Sequence, residues 1–183
     1  MGKIRTDATV FVWLALGLLL LPFSWLYAAA VAAVIHELGH LVVSKIRKVP
    51  WEELKIGAGG MVMLMGTMTE KDTLLIALAG PGASLLLCSL LHVWPQAAIC
   101  GLVQGVYNLL PIYPLDGGRV LHALIGDRAA SIEKGFIIMI LIAGIVGTIH
   151  TELGISPLLL ALLVCIRAIQ RKFPCKEGLI GVQ

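Results

Sequence analysis

The chain has 183 residues, of which 58% are hydrophobic and only 14% charged, and its mean hydropathy is +0.94. A soluble domain carries about 25% charge, so this composition excludes an ordinary soluble fold and places the sequence in the membrane class. The formal net charge of +3 calls for no nucleic-acid partner.

Windows of about 20 residues find apolar spans near 8–22, 25–46, 73–92, 96–113, 135–150 and 155–170, so an all-α polytopic protein with six transmembrane helices is expected. Towards the N-terminus, Met1-Gly2 with Thr6 fits a myristoylation pattern and Ala28-Ala29-Ala30, beyond the first span, a signal-peptidase site. The apolar sequence runs on past those alanines, so the first segment reads as an uncleaved span.

The second span contains His36-Glu37-Leu38-Gly39-His40, an HExxH zinc motif in a hydrophobic run where ionisable groups are costly. On a helix the two imidazoles lie four positions apart on one face, a two-point clamp for zinc. Glu37 lies about 100° further round, where it can act as general base toward water at the metal. A bare HExxH also occurs by chance as a satisfied polar patch. The uncharged flanks Ala28 to Ile35 and Leu41 to Val43 weigh against that reading, because polar groups buried there need compensation such as a metal. His40 and His36 lie roughly 9 and 15 Å from the helix end at Ile46, so water must reach that depth.

Between the second and third spans, residues 49–69 read as a short β-hairpin, with Leu54-Lys55-Ile56 and Met61 to Met65 flanking Gly57-Ala58-Gly59-Gly60. Gly80-Pro81-Gly82 interrupts the third span. The end of the fourth span runs into Asn108-Leu109-Leu110-Pro111-Ile112-Tyr113-Pro114-Leu115-Asp116-Gly117-Gly118-Arg119. Pro111 and Pro114 stop a regular helix and Gly117-Gly118 permits close backbone approach, so Asp116 can turn back towards His36 and His40 as third metal ligand. By itself the stretch reads more readily as an Asp-Gly turn at a helix end.

Cys88, Cys100, Cys165 and Cys175 show no CxxC pairing and read as small apolar packing. His92, His122 and His150 stand near span ends and read as interfacial. The connections at 22–24, 92–95 and 151–156 contain no Lys or Arg, so a six-span layout puts both termini on the cytoplasmic side of a cell membrane. Spans fill most of the chain, so residues 1–183 are expected to form one membrane domain with no PDZ-like insertion and no C-terminal regulatory domain.

HELGH paired with an NxxPxxxxDG stretch resembles the site-2 protease family of intramembrane zinc metalloproteases, peptidase family M50. The wording NLLPIYPLDGGR is most similar to the stage IV sporulation protein FB group, and the resemblance runs from about residue 8 to 170. It implies a three-helix catalytic core, Zn2+ on His36, His40 and Asp116, Glu37 as catalytic base and Asn108 as a further site residue. Asn108 would bond the substrate backbone or a developing oxyanion; a buried amide capping a broken helix is the alternative. The resemblance also makes 49–69 a membrane-associated segment whose edge accepts an extended substrate, and 80–82 the Gly-Pro element of the family, with Ser84 where many members have Asn. For partners it implies a membrane-associated protein substrate such as a transcription-factor precursor, and an inhibitory membrane protein. Two other classes use similar ligands: a metal transporter, and an inactive relative that binds membrane helices. Glu37 beside a complete ligand set argues against both.

Overall fold

The structure is a computed structural model that describes residues 3–57, 60–152 and 154–170. Strand β1 (Lys3–Thr6) leads into helices α1 (Thr9–Leu20) and α2 (Phe23–Ile46), then strands β2 (Trp51–Gly57) and β3 (Gly60–Met65). Helix α3 (Glu70–Leu86) runs on as a 3-10 turn to Leu90, followed by α4 (Pro95–Asn108), α5 (Asp116–Ile125), α6 (Ala129–His150) and α7 (Ser156–Gln170). Among the described residues, three stretches are long and apolar enough to cross a membrane: Phe23–Ile46, Glu70–Leu90 and Asp116–His150. Helix α4 has 14 residues, about 21 Å, short of the ~30 Å hydrocarbon thickness.

Helix α2 buries Ala28, Ala32, His36, His40 and Ser44, one residue in four, so a single stripe faces inward. That stripe is small except where it carries the histidines, which lets α3 and α4 approach closely. A Cβ on Gly39 would run into the Ala79 carbonyl of α3, and one on Gly101 of α4 into the Ser84 carbonyl. Helices α2, α3 and α4 pack mutually, and α5 lies against α3. The outer faces present large apolar side chains, Leu38 and Val42 among them, as a membrane solvent requires.

Thr69 and Asp72 form a capping box that starts α3, and Asp72 also accepts from Arg47 Nε at 2.6 Å, joining the end of α2 to the start of α3. Strands β2 and β3 pair antiparallel from Trp51↔Met65 to Gly57↔Gly60. The expected turn residues Ala58 and Gly59 lie outside the described residues, as do Cys175, Met1-Gly2 and the cations Arg171, Lys172 and Lys176. Strand β1 pairs parallel to β2, Lys3↔Glu53 to Thr6↔Ile56, with an Arg5–Glu53 ion pair at 3.0 Å. The chain therefore goes out along α1 and returns along α2, and residues 3–6 and 51–57 share one end of the molecule.

Several element ends differ from the apolar spans. Helix α4 stops at Asn108 rather than continuing to 113, because Pro111 has no N–H and its ring would meet the Tyr107 carbonyl of a continued helix. Helices α3 and α6 begin earlier than the spans, at Glu70 and Ala129, since hydropathy registers the apolar length and passes over a polar first turn. Helix α5 and strand β1 are additional elements.

Candidate metal centre

His36 and His40 occupy successive turns of α2, and Asp116 is the first residue of α5. All three are buried. Their donor atoms converge: His36 Nε2 to His40 Nε2, His36 Nε2 to Asp116 Oδ2, and His40 Nε2 to Asp116 Oδ2 each measure 3.2 Å. The imidazole planes stand at 83° to each other, with ring centroids 4.8 Å apart. Among the described residues this is the one cluster of His, Cys, Asp or Glu with metal-ligand spacing.

The far nitrogens explain the convergence. His40 Nδ1 lies 2.7 Å from the Ile76 carbonyl, which can only accept, so the proton is on Nδ1 and Nε2 presents a lone pair. His36 Nδ1 meets Ser84 Oγ at 2.9 Å, a partner that can hold the same tautomer. With imidazole lone pairs and a carboxylate oxygen aimed together in a buried site, the arrangement needs a cation at its centre. Donors about 2.05 Å from a tetrahedral Zn2+ stand about 3.3 Å apart, so the triangle fits that ion and leaves a fourth position. His2Asp is a donor set that zinc accepts.

Room for the rings comes from α3. A Cβ on Gly80 would penetrate the His40 imidazole, so glycine is required where α3 passes the motif, next to the buried Pro81. The approach of Asp116 depends on Gly117 and Gly118. A Cβ at either would strike the backbone of the preceding loop, at Leu109 and Leu110 for Gly117 and at Ile112 and Tyr113 for Gly118. The 109–115 segment therefore folds directly over the start of α5, and the Tyr113-Pro114 bond within it is cis.

Glu37 is half-buried and within electrostatic reach of His36, His40, Asp116 and Arg119. Asn108 sits at the last turn of α4, where Nδ2 donates to the Gln104 carbonyl at 3.0 Å, the bond expected of an amide closing a broken helix. Cys88, Cys100 and Cys165 are free thiols. His92 and His150 are exposed, whereas His122 pairs with the buried Glu133 at 3.0 Å. Ser84, the Ile76 carbonyl and Gly80 support the site from α3 and were not singled out as ligand supports by sequence. In the sequence the local signal is the Gly-Pro-Gly interruption, with Ser84 two residues beyond it.

The profile of Peptidase family M50 matches residues 88–149, the part of the chain that supplies Asp116. A curated relative, the zinc metalloprotease MJ0392 of Methanocaldococcus jannaschii, is 29% identical over 138 residues, which are 63% of this chain and 41% of that protein. The chain thus spans well under half the length of the curated relatives it matches. Among solved structures, the site-2 protease from Methanocaldococcus jannaschii superposes with a TM-score of 0.71 at 25% identity, covering 100% of this chain and 96% of that one. The profile matches the Asp116 half of the metal centre and the superposition spans the whole chain: this membrane protein is similar to the site-2 protease family, peptidase family M50.

Proposed function

We propose that the protein is an intramembrane zinc metalloendopeptidase that hydrolyses a peptide bond in or near the membrane segment of a membrane-associated protein. The observation that carries this reading is the buried triangle of His36, His40 and Asp116 with Glu37 on the adjoining helix position. Zinc held by those three residues would supply a Lewis acid that polarises a carbonyl and lowers the pKa of water. The Glu37 carboxylate takes the proton of the attacking water and returns it to the leaving amine. Asp116 contributes the anionic ligand. Asn108, whose amide ends α4 next to the loop before Asp116, can turn its N–H towards a substrate carbonyl.

A helical substrate keeps its carbonyls bonded internally, so its scissile segment must be extended before attack. The β3 edge supports a route, because strand addition there would hold a peptide extended. Six spans with both termini cytoplasmic remain the layout we favour, supported by the Lys- and Arg-free connections and by β1 lying beside β2. A transcription-factor precursor as substrate and an inhibitory membrane protein as partner, as in sporulation signalling, rest on the wording of NLLPIYPLDGGR.

Co-expression with tagged single-span candidates tests the activity. Glu37→Gln keeps the metal ligands and removes the base, so cleavage should fall by about 10²- to 10⁴-fold. Equal cleavage by wild type and variant would overturn the mechanism.

A further inference from the structure

Asp116 reaches the metal centre from outside α2, as the first residue of α5 behind a loop, 109–115, that belongs to no helix or strand. Besides its own short backbone turns, that loop is tied to a buried carboxylate on α6. Glu133, 3% exposed, directs Oε1 to the Tyr113 backbone N–H at 2.9 Å and to His122 Nε2 at 3.0 Å. An oxygen already accepting from a backbone N–H accepts from the imidazole as well, so His122 carries its proton on Nε2. The His122 ring also packs edge-on against Tyr113, centroids 6.0 Å apart. Tyr113 precedes Asp116 by three residues and His122 follows it by six. One carboxylate oxygen thus bridges the loop before the ligand and the helix after it.

We propose that Glu133, with His122, is a positioning residue for the metal centre: it clamps the loop and α5 on either side of Asp116 and so sets where the third ligand stands. The inference rests on the metal-site reading above and adds residues from α5 and α6 to it. Glu133 is among the few charged side chains buried in the described residues, and burying a carboxylate is costly unless donors repay it. Two N–H donors on one oxygen do so, and they come from the segment that must be fixed if Asp116 is to face His36 and His40. Surface solvation cannot account for its position.

The full chain, purified in detergent and stripped of metal, is titrated with Zn2+ against a chromophoric chelator, and with Co2+ to record the ligand-field absorption. Wild type is compared with Glu133→Leu, Glu133→Gln and His122→Leu. Glu133→Leu is expected to lose about tenfold or more in Zn2+ affinity and to alter the Co2+ spectrum. Glu133→Gln, which keeps an accepting oxygen for the Tyr113 N–H, should recover most of both. His122→Leu, at a partly exposed position, should fall between them and keeps the test open if Glu133→Leu does not fold. Wild-type affinity and spectrum in Glu133→Leu, or in His122→Leu where the former is unfolded, overturn the inference alone. So does a Gln variant as impaired as the Leu one. A wild type that binds no Zn2+, with Asp116→Ala indistinguishable from it, overturns the metal-site reading and the inference together.

Discussion

His36 and His40 stand one turn apart on the same helix, yet their far nitrogens are held by unrelated groups, Ser84 Oγ at 2.9 Å and the Ile76 carbonyl at 2.7 Å. Both partners come from α3, so the tautomers that aim Nε2 at the metal are decided by a neighbouring helix. Ser84→Ala removes the His36 partner and leaves a buried Nδ1 without it; Zn2+ affinity should drop about tenfold, measured by chelator competition. The two histidine ligands and the base were legible in sequence because HExxH packs two imidazoles and a carboxylate into five residues with helical spacing. Their supports were not. Ser84 lies 48 positions from His36, and a backbone carbonyl such as that of Ile76 has no side-chain signature. Glu133 was equally illegible: its partners are 20 and 11 positions away, and a lone Glu in the first turns of an apolar helix reads as a solvated end.

At the level of elements, the segment between α4 and α6 shows what local rules reach. Pro111 and Pro114 forbid a continuous helix, and the paired glycines announce close backbone contact. That the contact is the loop's own backbone folding onto the first turn of α5 follows only from tertiary packing. Gly117→Ala forces a Cβ into the Leu109 carbonyl and should destabilise the protein by about 1–3 kcal/mol, read as a lower unfolding midpoint in detergent together with weakened Zn2+ binding. Gly135→Ala is the matched control, since its Cβ would meet no neighbour on α6; it should be neutral or slightly stabilising. Helix α5 itself escaped the hydropathy reading because its ten residues mix Asp116, Arg119 and His122 with apolar positions. Strand β1 escaped because four residues are too short a sample for a period of two.

Across the whole molecule, the metal centre ties α2 to α5 within a cluster of helices whose inner faces are small residues. Small inner faces bring backbones together but supply little side-chain bulk at the joints, so the cation is a structural link as well as a chemical group. Zn2+ at 100 times its dissociation constant should stabilise the folded state by about 2.7 kcal/mol. Chelator treatment should therefore lower the thermal midpoint, and addition of Zn2+ should restore it. His40→Ala, lacking a ligand, should show a much smaller response to either. A wild-type midpoint that ignores both chelator and Zn2+ would sever the link between metal and fold.

By itself the sequence determined the membrane setting, the His36-Glu37-His40 motif on one helix and the presence of a broken segment carrying Asp116. Each of these is written in residues close together, where a period of 3.6 or a proline acts directly. Tertiary structure alone decided that Asp116 closes a 3.2 Å triangle with histidines some 80 positions earlier, which tautomer His40 adopts, and that Glu133 spans the loop before Asp116 and the helix after it. Those outcomes depend on where separate helices come to rest against one another. That placement is set by the fit of many small faces at once, which no short stretch of sequence contains.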